Sequence, residues 1–227
     1  MSDETNEQTP RERVREIASE YYKAGDVLGW FDALYKEAGG DNELIPWADL
    51  EPNRYLRAFA EKYELKGNDR SALVVGCGLG DDAKYLDDLG FRVAAFDISP
   101  NAIEWAKRLH AETGIRFEVM DLFQPYREWL GAFDFVLEVY TIQPLPVSMR
   151  EQTIASIASF VAPGGELLVV TRGREEDEET DELPWPMSRS ELAAFGAHGL
   201  EQLSFDIMPG DEETPAERFI VHYRRKA

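Results

Sequence analysis

Residues 71–82, SALVVGCGLGDD, join a short apolar run to three glycines at alternate positions. Because glycine has no side chain, Gly76, Gly78 and Gly80 leave the backbone accessible. They lie where we expect a buried strand to end and a helix over 80–89 to begin. A strand, a glycine turn and a helix in this order let a ligand approach the backbone at the carboxyl end of the strand. The stretch therefore predicts an α/β domain with a binding site at this turn.

The chain continues with apolar runs that alternate with helical segments. Because these runs are apolar almost throughout, they fit a parallel sheet that is buried on both faces. After the fifth run the alternation ends, and two further runs follow each other as an antiparallel hairpin. The result is a doubly wound, mostly parallel sheet with strands at 72–76, 92–97, 116–121, 133–140, 166–171, 200–208 and 217–225 and helices at 80–89, 100–111 and 147–161.

Residues 1–68, which we call the N-terminal cover, have a different composition. Their pattern predicts an amphipathic helix that ends near Gly25, a second that ends at Gly39 and Gly40, and a third after a loop with prolines. No second core is required by the length of 227 residues. We therefore predict one domain over 1–227, with the Rossmann-like core at 69–227.

The charge excludes some classes of partner. There are 24 Lys and Arg against 44 Asp and Glu, a formal net charge of -20, which repels nucleic acid and anionic membrane surfaces. The N-terminal sequence lacks the pattern of a signal peptide, so a cytoplasmic location is expected. One cysteine and three scattered histidines give no disulfide and no metal-ligand spacing.

The spacing of the glycines and the two acids that follow them indicate which class of ligand the turn binds. A dinucleotide fingerprint places its third glycine at position 81, but that position is Asp81 and the glycine comes one residue early. Asp81 and Asp82 would repel a pyrophosphate at the helix N-terminus. S-adenosylmethionine carries a sulfonium and an ammonium and no phosphate, so it suits both the bare backbone and the carboxylates. A nicotinamide-dependent reductase is the disfavoured alternative.

Two further acids end predicted strands at the same edge. Asp97 follows Gly76 by 21 residues, where a carboxylate can accept hydrogen bonds from both hydroxyls of an adenosine ribose. Asp121 ends the next strand and is placed to accept from the adenine amino group. We assign the cofactor site to these acids, to their neighbours Ile98 and Leu122, and to the backbone at Gly76, Cys77, Gly78 and Gly80.

With these motifs together, residues 71–226 resemble the class I S-adenosylmethionine-dependent methyltransferases. In the cover, the pairs Gly29-Trp30 and Pro46-Trp47 are similar to segments of the thiopurine and halide/thiol methyltransferase group, although position 34 is Leu34. The resemblance implies a strand order of 3-2-1-4-5-7-6, tryptophans over the sulfonium, and Glu138 facing the methionine part of the cofactor.

The acceptor site is expected at the ends of strands four and five. Its candidates are Tyr140, Gln143, Arg172, Arg174 and Trp185, and no residue is assigned as a catalytic base. The lack of an obvious base favours a thiol or another soft nucleophile on a small molecule. Two alternatives remain: an amine or carboxylate acceptor, and a nonenzymatic regulator that binds the cofactor. We expect a monomer or homodimer and a solvated acidic loop at 174–182.

Overall fold

The computed structural model describes residues 8–178, 183–210 and 215–227. These residues alternate helices and strands along the core, after three helices of the N-terminal cover. The helices are α1 (Pro10–Lys23), α2 (Gly29–Ala38), α3 (Arg54–Lys62), α4 (Asp81–Asp88), α5 (Pro100–Leu109), α6 (Arg150–Ser159) and α7 (Arg189–Ala193). The strands are β1 (Ser71–Val75), β2 (Arg92–Asp97), β3 (Arg116–Val119), β4 (Phe133–Val139), β5 (Val161–Arg172), β6 (Leu200–Met208) and β7 (Arg218–Arg225).

The described strands form one seven-stranded sheet in the order β3-β2-β1-β4-β5-β7-β6. Strands β1 to β5 pair in parallel, whereas β7 lies antiparallel between β5 and β6. The predicted order and the terminal hairpin are confirmed. The order reverses between β1 and β4, and at such a switch point the loops diverge and leave room for a ligand.

Several segments differ from the prediction. Strand β5 begins at Val161, five residues earlier than expected, because Val161 pairs with Phe133 before a register shift. The predicted helix over 147–161 is divided into a 3₁₀ turn at Val147–Met149 and the helix α6. The short helix α7 was not predicted, although its capping box of Ser188 and Glu191 is a signal that sequence alone contains.

The sheet is buried on both faces by apolar side chains. Val136 of β4 belongs to a cluster with Ile154 and Ile157 of α6 on one face. Leu137, the next residue, points to the other face and into a cluster with α3, α4 and α5. This alternation explains why the central strands have almost no polar residues, since successive side chains enter opposite halves of the core.

The N-terminal cover packs over the core through a third apolar cluster. Trp30 and Leu34 of α2 contact this cluster together with Leu79 and with Trp105 of α5. Asp32 connects α2 to the start of α5, because its Oδ1 accepts hydrogen bonds from the Ser99 hydroxyl at 2.6 Å and the Asn101 backbone N–H at 3.1 Å. Helix α2 is thereby fixed beside the ends of β1 and β2.

We expect Leu137→Ala to lower the free energy of unfolding by about 2 to 5 kcal/mol, because it leaves a cavity between β1 and β5. Leu203→Ala on the edge strand β6 is the control, since this leucine is 43% exposed and its loss should cost less than about 0.5 kcal/mol. Urea unfolding monitored by circular dichroism measures both. Equal costs would contradict the assignment of the core.

Candidate functional site

A cavity of about 590 Å³ lies at the carboxyl edge of the parallel strands, under the N-terminal cover. This volume is typical of small-ligand sites. Twelve of the residues predicted from sequence line it, and they come from the cover, the strand ends and the loops behind them. They are Trp30, Trp47, Gly76, Cys77, Gly78, Asp97, Ile98, Asp121, Leu122, Tyr140, Gln143 and Arg172.

The glycine loop, residues 76–80, follows β1 in a conformation that side chains disfavour. Gly76, Gly78 and Gly80 have φ angles of 60°, 51° and 88°. A Cβ on Gly76 would lie 2.6 Å from the Thr141 hydroxyl, and one on Gly78 would lie 2.9 Å from the Tyr35 hydroxyl. The loop therefore requires glycine for its backbone and for the close approach of its neighbours.

Asp97 at the end of β2 braces this loop. Its Oδ2 accepts a hydrogen bond from the Gly78 N–H at 3.0 Å, and its Oδ1 accepts one from the Ser99 N–H at 2.9 Å. Only 8% of the residue is exposed, and burial raises its pKa while the two N–H groups act in the opposite direction. Each carboxylate oxygen keeps a lone pair, so Asp97 can still accept from a ligand in the cavity.

Asp121 occupies the corresponding position behind β3. Its Oδ1 accepts from the Phe123 N–H and its Oδ2 from the Gln124 side-chain amide, both at 2.8 Å. The carboxylate is fixed at the cavity wall beside Leu122. Asp97 is the last residue of β2, whereas Asp121 lies two residues beyond β3, which ends at Val119 and not at position 121 as predicted. Since β2 and β3 are neighbours, both acids lie at the same edge of the sheet.

The two acids behind the glycine loop also line the cavity. Asp82 is partly buried, and its Oδ1 accepts from the Asn53 N–H at 2.7 Å, while desolvation raises its pKa to about 6. Burial also raises the pKa of Asp81, whose Oδ1 lies 3.9 Å from Nε2 of His110. These carboxyl groups and the bare backbone together suit a ligand that carries positive charge and no phosphate.

The aromatic residues of the cover form one wall. Trp30 is fully buried, whereas Trp47 is 41% exposed, and their rings meet edge to face with centroids 6.4 Å apart. The indole N–H of Trp47 donates to the hydroxyl of Tyr35 at 2.9 Å. Tyr35 was not among the predicted site residues. Its position on α2 is typical of a residue of the apolar core, and its contact with Gly78 joins residues that are far apart in the sequence.

Glu138 is not among the residues that line the cavity, although Thr141, whose N–H it binds, is, and its expected role toward the cofactor stays a prediction. Its side chain is fully buried, and Oε1 accepts from the N–H groups of Thr141 and Ile142 at 2.6 and 3.0 Å. Within the described residues, its Oε2 is buried without a hydrogen-bond partner. Glu138 thus stabilises the turn after β4 through these two hydrogen bonds.

Gly80 and Trp185 are also outside the cavity lining. Gly80 is the left-handed N-cap of α4, and a Cβ there would meet the ring of Phe117 at 2.7 Å, so its role is packing. Trp185 packs on Tyr22 with ring centroids 6.0 Å apart, and Leu183 and Pro184 reach the cavity instead. Arg174, the remaining acceptor candidate, binds Glu191 at 3.0 Å away from the cavity.

Behind β4 and β5 the cavity has a polar wall. Tyr140 has a φ angle of 58°, and its hydroxyl accepts from Nε of Arg218 at 2.9 Å. The side-chain oxygen of Gln143 accepts from the Thr171 hydroxyl at 3.1 Å and the Arg172 N–H at 3.0 Å. Arg218 was missed by the sequence reasoning, because β7 joins this wall only through antiparallel pairing.

Other expectations concern features that the structure describes in part or not at all. Cys77 is partly buried, and desolvation raises the pKa of its thiol, which disfavours the nucleophilic thiolate. Residues 179–182 of the predicted acidic loop lie outside the described residues. In the described residues there is no group of three or more acidic, cysteine or histidine side chains suited to a metal ion. No helix in this part of the chain has the length and apolar character required to cross a membrane.

Comparison with known proteins supports the assignment of the domain. Residues 72–165 match the model of a family described as a methyltransferase domain. A 2-heptyl-1-hydroxyquinolin-4(1H)-one methyltransferase of Mycobacteroides abscessus is 28% identical over 65% of this chain and 64% of its own. A ubiquinone biosynthesis O-methyltransferase of Xanthomonas axonopodis pv. citri is 31% identical over 64% of this chain and 56% of its own.

The chain therefore spans less than two thirds of the length of these relatives. Among solved structures, the fold resembles 1,6-didemethyltoxoflavin-N1-methyltransferase of Burkholderia thailandensis, with a TM-score of 0.67 at 17% identity over 96% of this chain and 91% of that one. The N-methyltransferase NodS of Bradyrhizobium japonicum has the same TM-score and identity over 86% of this chain and 97% of that one. At the level of the domain, the expected class of S-adenosylmethionine-dependent methyltransferase is supported, whereas the thiopurine and halide/thiol subgroup is not confirmed.

The position of Glu138 predicts a pH dependence of stability. Burial raises its pKa from 4.5 to about 7, so the folded state holds a proton that the unfolded state releases as the pH rises through this window. The wild type should therefore lose roughly 2 to 3 kcal/mol of stability from this group between pH 4.5 and pH 7. Glu138→Gln, whose amide oxygen can keep the contacts with Thr141 and Ile142, should lose none of it.

The measurement is urea unfolding of both proteins at intervals from pH 4.5 to pH 8. The stability of the variant relative to the wild type is expected to increase with pH, and the comparison removes contributions from groups that titrate elsewhere. A constant difference across this range would mean that Glu138 keeps its ordinary pKa.

Proposed function

We propose that this chain is an S-adenosylmethionine-dependent methyltransferase that acts on a small molecule. The observation that carries the proposal is the buried carboxylate of Asp97, which joins the glycine loop to the end of β2 and faces the cavity. A match of residues 72–165 to a methyltransferase domain supports it independently. Because this match covers only residues 72–165, the activity of the whole chain is part of the proposal.

The residues present fit this cofactor. Asp97 would accept from the ribose hydroxyls and Asp121 from the adenine amino group, with Ile98 and Leu122 against the base. The glycine loop offers bare backbone, and Asp81 and Asp82 suit the positive charge of the methionine part. Because a pyrophosphate would meet these two carboxylates first, the same arrangement disfavours a dinucleotide.

The bound cofactor would supply an electrophilic methyl group on a sulfonium. The task left to the chain is to align the acceptor and exclude water, which can contribute about 7 to 11 kcal/mol toward lowering the barrier. Trp30 and Trp47 cover the cavity, and a tryptophan face near a sulfonium contributes on the order of 0.5 to 2 kcal/mol. The loop behind β4, held by Glu138 and Gln143, forms the opposite wall.

The nucleophile is proposed to be one that ionises by itself near neutral pH, with a thiol as the first choice. None of the three histidines lines the described cavity, so no imidazole is placed to act as a base. Burial raises the pKa of Tyr140, which disfavours its phenolate as a base. An acidic hydroxyl is the second choice, supported by relatives named as O-methyltransferases. Such an acceptor needs little help with its proton.

The strong negative charge of the chain favours a small-molecule acceptor over nucleic acid. A cytoplasmic location and a monomeric or homodimeric state stay predictions from sequence.

Turnover tests the proposal directly. The purified chain is incubated with S-adenosylmethionine and a panel of small thiols, phenols, amines and carboxylic acids, and the formation of S-adenosylhomocysteine is measured. We expect product with at least one thiol or phenol. Tight binding of S-adenosylhomocysteine without turnover of any acceptor would support a regulator instead, and turnover confined to amines would exclude the proposed nucleophile.

Asp97→Ala should weaken the binding of S-adenosylhomocysteine by about 1 to 3 kcal/mol, because it removes both the acceptor for the ribose and the brace of the Gly78 N–H. Asp88→Ala on the solvent side of α4 removes the same charge and should bind as the wild type does. Calorimetric titration measures both variants. Unchanged affinity in Asp97→Ala would remove this residue from the cofactor site.

Trp47→Ala should weaken S-adenosylmethionine more than S-adenosylhomocysteine, since only the former offers a sulfonium to an aromatic face. The expected difference is on the order of 1 kcal/mol. Trp47→Phe, which keeps a ring but not the hydrogen bond to Tyr35, is the control and should preserve most of the preference. Equal losses for both ligands would show that Trp47 acts only by packing.

A further inference from the structure

The hydroxyl of Tyr35 is a buried hydrogen-bond donor. Its oxygen accepts from the indole N–H of Trp47 at 2.9 Å, but no oxygen of the described residues accepts its own proton. The other two tyrosines that are buried in the described part of the chain, Tyr55 and Tyr223, each donate to a backbone carbonyl at 2.9 Å. A buried donor is costly unless an acceptor meets it, so the proton of Tyr35 calls for an acceptor on a ligand.

This hydroxyl lies at the wall of the cavity, against the glycine loop. Tyr35, Trp47 and Gly78 all line the cavity, and a Cβ on Gly78 would lie 2.9 Å from the hydroxyl oxygen. The side chain is held in place, because only 3% of Tyr35 is exposed and its ring meets that of Trp47 edge to face with centroids 6.4 Å apart. The donor is therefore preorganised beside the backbone that the proposed cofactor would contact.

The charged groups near this hydroxyl keep it protonated. Burial and the charge of Asp97 raise the pKa of Tyr35 well above its usual value, although the hydrogen bond from Trp47 acts in the opposite direction. Asp81 also raises this pKa. The phenol is thus a neutral donor at neutral pH, and it can serve among these acids without forming an ion pair with them, as a lysine or an arginine would.

The proposed cofactor carries a group that needs such a donor. Its methionine part ends in an ammonium and a carboxylate. Asp81 and Asp82, which line the cavity, suit the ammonium but repel the carboxylate. An anionic group that leaves water has to be met by hydrogen-bond donors, and a hydrogen bond to an anion is stronger than one to a neutral oxygen. A phenolic O–H at the glycine loop meets this requirement.

We propose that the hydroxyl of Tyr35 donates a hydrogen bond to the carboxylate of the methionine part of the cofactor. This inference rests on the proposed function, because it names a contact within the proposed cofactor site. Trp47 assists the contact, since its N–H occupies one lone pair of the Tyr35 oxygen and leaves the O–H proton directed away from the indole. A hydroxyl that accepts one hydrogen bond is also a stronger donor in the next.

The test compares two ligands that differ only in this carboxylate. They are S-adenosylhomocysteine and S-adenosyl-3-thiopropylamine, which keeps the adenosine, the thioether and the amine. Both are titrated calorimetrically into the full chain. We expect the wild type to bind S-adenosylhomocysteine about tenfold or more tightly than the amine, because only the former can accept a charge-assisted hydrogen bond.

Tyr35→Phe identifies the side chain responsible. It should weaken S-adenosylhomocysteine by about tenfold and change the affinity for the amine by less than about twofold, because it removes the donor and keeps the ring. Tyr63→Phe is the matched control, since Tyr63 is 41% exposed and lies outside the cavity lining, and both affinities should stay as in the wild type. Circular dichroism checks that each variant is folded, and the comparison of the two ligands on the wild type requires no variant.

The proposal is overturned if the wild type binds both ligands equally, or if Tyr35→Phe weakens neither ligand. It is also overturned if Tyr35→Phe weakens both by the same factor, which would mean that the hydroxyl only supports Trp47 and the cover. These outcomes leave the proposed function intact, because the cofactor still binds. Failure of the wild type to bind either ligand contradicts the proposed function, and this inference with it.

Discussion

The site depends on the carboxylate of Asp97, which fixes three elements at one point. Its two oxygens hold the glycine loop through Gly78 and the start of α5 through Ser99. The hydroxyl of Ser99 then donates to Asp32, so the same connection reaches α2 and the tryptophans of the cover. Burial of a carboxylate is costly unless donors meet it, and here backbone N–H groups do so. One acid therefore connects the glycine loop to helix α2 of the N-terminal cover.

The second principle of the site is the distribution of charge along the sheet. Acids follow the strands on one side of the switch point and arginines end or begin the strands on the other. Both sets line one cavity. A cationic cofactor would meet complementary charge at the acidic side, near the ends of β1 and β2.

Much of this architecture was predictable, because it depends on local patterns. Strand periodicity, the glycine turn and an acid at position 97 are properties of short segments, whereas the strand order was implied by the resemblance to the class I S-adenosylmethionine-dependent methyltransferases. The contacts of Glu138 with the N–H groups of Thr141 and Ile142 depend on the conformation of the turn after β4, which no sequence pattern indicated. The pairing of Arg172 with Arg218 and the contact of Tyr35 with Gly78 join residues far apart in the chain, so no local pattern contains them.

The most direct test of the central claim is a calorimetric titration of the wild-type chain with S-adenosylhomocysteine and, separately, with NADH. We expect saturable binding of S-adenosylhomocysteine in the micromolar range and none of NADH, because the acids behind the glycine loop repel a pyrophosphate. Binding of NADH alone, or of neither ligand, would contradict it, and would mean that the glycine loop serves another ligand or only the packing of the fold.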